Sequence, residues 1–94
     1  MTSLLWLPEA LDDLKRLHAF IEPHSSRAAA RAINILIDAA GPLLEFPEKG
    51  APWNPDLEFR ELRVRFGSRG YAIRYRLHED QVIIMRVWHS LEDR

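Results

Sequence analysis

Residues 59–88 read FRELRVRFGSRGYAIRYRLHEDQVIIMRVW, and this stretch decides the fold. Leu62, Val64 and Phe66 fall on one side, and Glu61, Arg63 and Arg65 on the other. That is the period of a strand with one face against a core. Gly67-Ser68-Arg69-Gly70 has the composition of a hairpin turn. Tyr71, Ile73, Tyr75 and Leu77 then alternate with Ala72, Arg74 and Arg76. After a second turn at His78-Glu79-Asp80-Gln81, Ile83, Met85 and Val87 oppose Ile84, Arg86 and Trp88. Links this short join antiparallel neighbours, so a three-stranded meander is predicted, with Tyr71 and Tyr75 in its core.

Upstream, residues 47–58 (PEKGAPWNPDLE) hold three prolines and a glycine and read as a loop that Trp53 pins to the body. Before it lie two helices. Pro8 suits a first helical position, and Glu9, Asp12 and Asp13 follow where the helix dipole favours acids. Leu11, Leu14, His18 and Ile21, widened by Leu17, make one helix face, which ends near Glu22-Pro23. Ser25 or Ser26 caps a second helix. Its polar residues Arg27, Arg31, Asn34 and Asp38 form one narrow stripe, and nearly everything else to Ala40 is Ala, Ile or Leu. So wide an apolar arc implies a second contact besides the sheet, with Ile35 at its solvent edge. Gly41-Pro42 weakens or kinks this helix, because Pro42 cannot donate to the carbonyl of Asp38. Residues 3–7 (SLLWL) read as an opening strand. The predicted fold is α+β over one domain, residues 1–94, in the order β-α-α-β-β-β: a helical hairpin on one face of a four-stranded, mainly antiparallel sheet.

Composition narrows the function. The 94 residues are 47% hydrophobic and 29% charged, which excludes a disordered chain, and no apolar run approaches the length of a membrane span. No secretory signal pattern opens the chain, so a cytoplasmic protein is expected. With no cysteine, thiol catalysis and cysteine-ligated metals are excluded, and the four histidines show no ligand spacing. No metal or cofactor is expected. His18 reads as a core-edge residue, His24 and His78 as solvated turn residues, and Asp12-Asp13 as helix-start charge.

Charge is uneven along the chain. Residues 1–58 carry five basic and nine acidic side chains, whereas residues 59–94 carry eight arginines and five acids. If the apolar strand faces meet the helices, Arg63, Arg65, Arg74, Arg76 and Arg86 collect on the other face, with Glu61 as the evident acid and Trp88 and Ile84 beside them. Like charges so close repel unless a partner or counter-ion neutralises them. Arginines next to exposed aromatics are the composition of a contact surface. This arginine palm is the candidate functional site.

In several segments the chain resembles the RelE/ParE family of toxins from bacterial type II toxin–antitoxin pairs. These are the opening strand ending in Trp6, Pro8-Glu9-Ala10-Leu11-Asp12-Asp13-Leu14, the alanine-rich second helix, Leu44-Glu45-Phe46-Pro47-Glu48-Lys49-Gly50, Arg60-Glu61-Leu62-Arg63-Val64, Tyr71-Ala72-Ile73-Arg74-Tyr75-Arg76 and Arg86-Val87-Trp88-His89. The family's fold is the one predicted above. RelE-like members cut mRNA in the ribosomal A site, and ParE-like members poison DNA gyrase. Ala72 stands where the resemblance to RelE places a catalytic arginine, and the chain ends at Arg94 without the C-terminal tyrosine of many RelE-like members. The Arg86-Val87-Trp88-His89 close looks ParE-like.

The favoured expectation is therefore a gyrase poison rather than a catalyst. Arg86, Trp88 and His89 would meet the target, and a ParD-like antitoxin would neutralise the toxin in a hetero-oligomer that touches DNA only through the antitoxin. Antitoxin contacts are expected from Leu14, Leu17, Ile21 and Ile35 as groove walls and from Arg63, Arg65, Arg74, Arg76 and Arg86. The alternative is a ribosome-dependent mRNA endoribonuclease using Arg63, Arg65, Arg74 and His89, because a 2′-OH must lose a proton and the leaving oxygen must gain one.

Overall fold

The computed structural model describes residues 2–54, 56, 58–67, 69–90 and 92, the side chain of Arg69 excepted. Strand β1 (Ser3–Trp6) leads into helix α1 (Pro8–Ile21), which has proline in its first turn and no side-chain cap. Helix α2 (Ser26–Ala40) is capped by Ser25, whose hydroxyl accepts the N–H of Ala28 at 3.0 Å, and it tightens into a 3₁₀ turn over Gly41–Leu44. Four strands follow: β2 (Ala51–Asn54), β3 (Phe59–Phe66), β4 (Arg69–His78) and β5 (Gln81–His89).

The sheet order is β1-β5-β4-β3-β2. The β2–β3, β3–β4 and β4–β5 pairs are antiparallel, and β1 lies parallel to β5. The sheet thus has five strands where four were expected. The extra strand is β2, inside the proline-rich stretch. Its Pro52 lacks an N–H, and an edge strand is where a sheet tolerates that. Pairing of β3 with β4 continues to Phe66↔Arg69, so Arg69 and Gly70 belong to β4 and not to the expected turn; Ser68 lies outside the described residues.

The last strand departs from simple alternation. The β4–β5 register shifts between Arg74 and Tyr75, with Arg74 opposite Arg86 but Tyr75 opposite Ile84. One extra residue on β5 switches which side chains face the helices. Val82, Ile84 and Val87 all enter the core, and Ile83 pairs with the outward Arg76. Ile84 is therefore a core residue and not a neighbour of Trp88 on the palm. The bulge lets Ile84 and Val87, three residues apart, bury on the same face, which strict alternation would place on opposite faces.

The core joins Leu14 and Leu17 of α1, Leu36 and Ala40 of α2, and Leu43 to Leu62, Val64, Tyr71, Ile73, Tyr75, Val82, Ile84 and Val87. The buried face of α1 is Ala10, Asp13, Leu14 and Leu17, so Leu11, expected inward, is 46% exposed. Leu14 and Leu17 both reach the core. Ile35 packs against the same core, and Ile37 is the exposed isoleucine of α2. Tyr75 ties the proline-rich stretch down: its hydroxyl donates to Pro47 O at 2.7 Å and accepts Gly50 N–H at 2.8 Å.

Candidate functional site: an arginine palm stacked on tryptophans

The face of the sheet away from the helices carries the expected arginines. Register places Glu61 opposite Arg74, Arg63 opposite Ala72, and Arg65 opposite Gly70; on the next pair Ala72 faces Trp88 and Arg74 faces Arg86. Arg63, Arg65, Arg74, Arg76 and Arg86 therefore share one surface, but they are not equivalent.

Arg74 is the centre. Its guanidinium carbon lies 3.5 Å from the ring centre of Trp53 and 4.7 Å from that of Trp88, so it is held between two indoles. The stack continues in both directions. Trp53 stacks on Phe59 with ring centres 5.9 Å apart, and Arg86 lies over Trp88 at 5.1 Å. Aromatic faces attract cations, and a desolvated pair is worth up to about 2 kcal/mol. This alternation lets arginines approach where charge alone would drive them apart. Arg74 also donates to Glu61 Oε2 at 3.1 Å, and Glu61 lies 3.9 Å from Arg63.

Arg86 is committed elsewhere. It makes a two-pronged contact with Asp13, Nε to Oδ2 at 2.7 Å and Nη2 to Oδ1 at 3.1 Å, while Val87 N–H donates to Oδ2 at 2.8 Å. Arg16 bonds Asp13 as well, donates to Val87 O at 3.2 Å and pairs with Glu92 at 3.0 Å. Burial alone would raise the pKa of Asp13; the hydrogen bonds from Arg86, Val87 N–H and Arg16 outweigh it and hold the carboxyl below its usual 3.8. Glu92 is likewise held below 4.5, because Arg16 and the His89 N–H outweigh its burial. Asp13 was read from sequence as helix-start charge, yet it is 3% exposed and clamps α1 to β5. Its place on the buried face, one residue before Leu14, is the signal that could have found it.

Arg63, Arg65 and Arg76 remain exposed. Apart from the loose Arg63–Glu61 pair, no ion pair engages them among the described residues. Trp53, Glu61, Arg63, Arg74 and Trp88 line a hollow of about 470 Å³. Trp53 is the palm residue that sequence reasoning missed: it was assigned to the loop, and the irregular β2–β3 register between Pro52 and Asn54 is what sets it here.

His89 does not join this group. It pairs with Tyr71, on the core side of the sheet, and their rings meet edge to face at 5.2 Å. It is 7% exposed, and Trp88 is 8% exposed on the opposite face. The proposed catalytic set of Arg63, Arg65, Arg74 and His89 is thus split by the sheet. On the outer side of the helical hairpin a smaller cleft of about 260 Å³ is lined by Leu14, Lys15, His18 and Ile33. The half-buried Ile21 and Ile35 do not line it. Among the described residues no cluster of His, Asp and Glu is arranged to hold a metal ion, and no helix is long and apolar enough to cross a membrane.

A small α+β chain with a helical hairpin on one sheet face and an arginine palm on the other matches a known class. Residues 4–94 match the family model described as the ParE toxin of the type II toxin–antitoxin system parDE. The chain is 37% identical to Toxin RelE3 of Caulobacter vibrioides over 94 residues, the full length of both, and 39% identical to Toxin RelE1 of the same organism over 82 residues, 87% of this chain and 86% of that one. The fold matches a solved structure titled as the chromosomal ParDE TA system from P. aeruginosa, with a TM-score of 0.79, 20% identity and coverage of 95% and 96% of the two chains. The chain belongs to the RelE/ParE family and is a toxin of the type II toxin–antitoxin class.

Proposed function

We propose that this toxin acts by binding DNA gyrase and not by cutting RNA. The observation that carries this reading is the split of the acid–base set. The palm centres on Arg63, Ala72 and Arg74, while His89 lies across the sheet. Arginine stays protonated and is a poor proton acceptor, and the palm's carboxylate, Glu61, is tied to Arg74 at 3.1 Å, so the palm offers charge and stacking surface without the imidazole of the acid–base set. That suits recognition of a partner better than phosphodiester cleavage. Exposed arginines beside tryptophans are also the residue types that dominate protein contacts.

Neutralisation is by a ParD-like antitoxin in a toxin–antitoxin hetero-oligomer within the cytoplasm. Its amphipathic helix follows the outer cleft of the helical hairpin, where Leu11 and Ile37, both 46% exposed, extend the apolar lining by a turn on each helix. Acidic residues of the antitoxin meet the palm.

The test incubates the chain with DNA gyrase, ATP and supercoiled plasmid, then adds detergent and protease. Linear DNA that requires both proteins is the expected result. Absence of linear product, together with ribosome-dependent cleavage of mRNA, overturns the reading in favour of the endoribonuclease.

A further inference from the structure

The hollow at the centre of the palm is built more specifically than a charged surface needs. Arg74 is fixed between Trp53 and Trp88, with one Nη on Glu61. Its Nε is buried and has no hydrogen-bond partner among the described residues. Arg63 stands beside it with a side chain 78% exposed. Two guanidinium groups thus share one carboxylate, that of Glu61, and the exposed Arg65 and Arg76 add charge on the flanks. Trp53, half exposed, forms an apolar wall.

We infer that this hollow seats one carboxylate side chain of an acidic, extended antitoxin segment, held between Arg63 and Arg74 and walled by Trp53 and Trp88. The inference rests on the pairing with an antitoxin proposed above and adds where and how one residue of it is anchored. A carboxylate supplies the second negative charge that the two arginines lack, and planar arginine forks suit it. An apolar neighbour of that acid packs on the exposed flank of Trp53. A phosphodiester chain fits less well, because each added phosphate brings further charge against Glu61. Preorganisation by the stack means that Arg74 loses little side-chain freedom on binding.

The test measures, by titration calorimetry, the affinity of the chain for a ParD-like antitoxin of the same organism. The wild type, Arg63→Gln and Trp53→Ala are compared. Arg63→Gln changes an exposed side chain and leaves the fold intact, so it stands even if Trp53→Ala loosens β2. Each variant is expected to weaken binding by roughly tenfold or more. Replacing the antitoxin's acids one at a time by alanine should reveal one whose loss no longer matters once Arg63 is Gln. Unchanged affinity in both variants, beside a wild type that binds, overturns the seat while leaving the pairing intact. A wild type that does not bind the antitoxin overturns the pairing and the seat with it. A single-stranded RNA oligonucleotide whose binding falls in Arg63→Gln, while antitoxin affinity does not, assigns the hollow to RNA and overturns the seat.

Discussion

The carboxylate of Asp13 accepts the backbone N–H of Val87 at 2.8 Å, so a helix side chain completes the rim of a strand. β1 pairs with β5 only as far as Trp6↔Ile84, and Leu7 N–H closes on Ile84 O at 3.0 Å. Beyond that point Val87 turns its N–H and carbonyl outward with no strand to meet them. Asp13 takes the first and Arg16 the second. Asp13→Ala removes the acceptor and leaves Arg86 without its acid partner. Arg86 has a side chain 44% exposed, so water screens the loss of its partner, and the larger cost is the buried Val87 N–H left without an acceptor, about 1–3 kcal/mol. Urea denaturation should show a fall of that order, and Asp12→Ala, one residue away and exposed, should change stability by less than about 0.5 kcal/mol.

The same cluster sets the acid response. Asp13 and Glu92 both have folded pKa values below their ordinary ones, so their stabilisation is present above pH 4–5 and disappears as pH falls through the lowered values. Thermal unfolding from pH 7 to pH 2.5 should show melting temperature falling below about pH 4. Asp13→Asn should flatten that dependence while lowering the melting temperature at pH 7. A variant with the full wild-type acid slope would show that other carboxylates govern it.

How much of this was legible in the sequence follows from which rule each residue obeys. Leu62, Val64, Tyr71, Ile73 and Tyr75 obey strict alternation, and both the meander and the palm arginines of β3 and β4 could be read from them. β5 contains a bulge, and a bulge is set by pairing geometry that one strand's sequence does not display, so Ile84 was assigned to the wrong face. β2 is short, carries Pro52 and forms only against β3, so local propensity reads it as loop. Leu14 and Leu17 are legible as apolar, but how a side chain divides between the core and the cleft of the hairpin, as Leu14 does, depends on tertiary packing. The tie of Asp13 to Val87 spans most of the chain: the helix face marks Asp13 as buried, but nothing local names its partner.

Tyr75 and Gly50 form one packing unit. A Cβ on Gly50 would stand 2.7 Å from both Cε1 and Oη of Tyr75 and 3.0 Å from Glu61 O. Tyr75 is fully buried and bonded at its hydroxyl, so it cannot step aside cheaply. Gly50→Ala is expected to destabilise by about 1–3 kcal/mol. Tyr75→Phe leaves Gly50 N–H and Pro47 O without this partner and should cost about 1–3 kcal/mol. Because the two act on one contact, the double variant should lose less than the sum of the singles, as measured in a denaturation cycle.

Ile37 and Ile35 separate antitoxin binding from stability. Ile35 touches the core, and Ile37 is exposed on α2, one turn beyond Ile33 of the outer cleft. Ile37→Asp should reduce antitoxin affinity by roughly tenfold or more with stability nearly unchanged. Ile35→Asp should destabilise the chain, because a carboxylate set against a core is poorly solvated. Melting curves read alongside calorimetry distinguish the two. Full antitoxin affinity in Ile37→Asp would place the helix contact away from this cleft.

His89 discriminates between the two modes of toxicity. Its ring packs edge to face on Tyr71, and its backbone N–H donates to Glu92 Oε1 at 2.8 Å, so it joins the end of β5 to the Glu92 carboxylate that Arg16 holds. A glutamine there keeps a polar side chain of moderate size but cannot shuttle a proton near neutral pH as imidazole does. If the toxin binds gyrase, His89→Gln acts through packing, and any loss of growth arrest should follow the loss of gyrase affinity across a series that includes His89→Asn and His89→Phe. If the toxin cuts RNA through this residue, His89→Gln abolishes cleavage while the chain still binds its target. Measuring growth arrest, gyrase affinity and mRNA cleavage on the same series decides between a correlated decline and a selective loss of chemistry, and the correlated decline is expected.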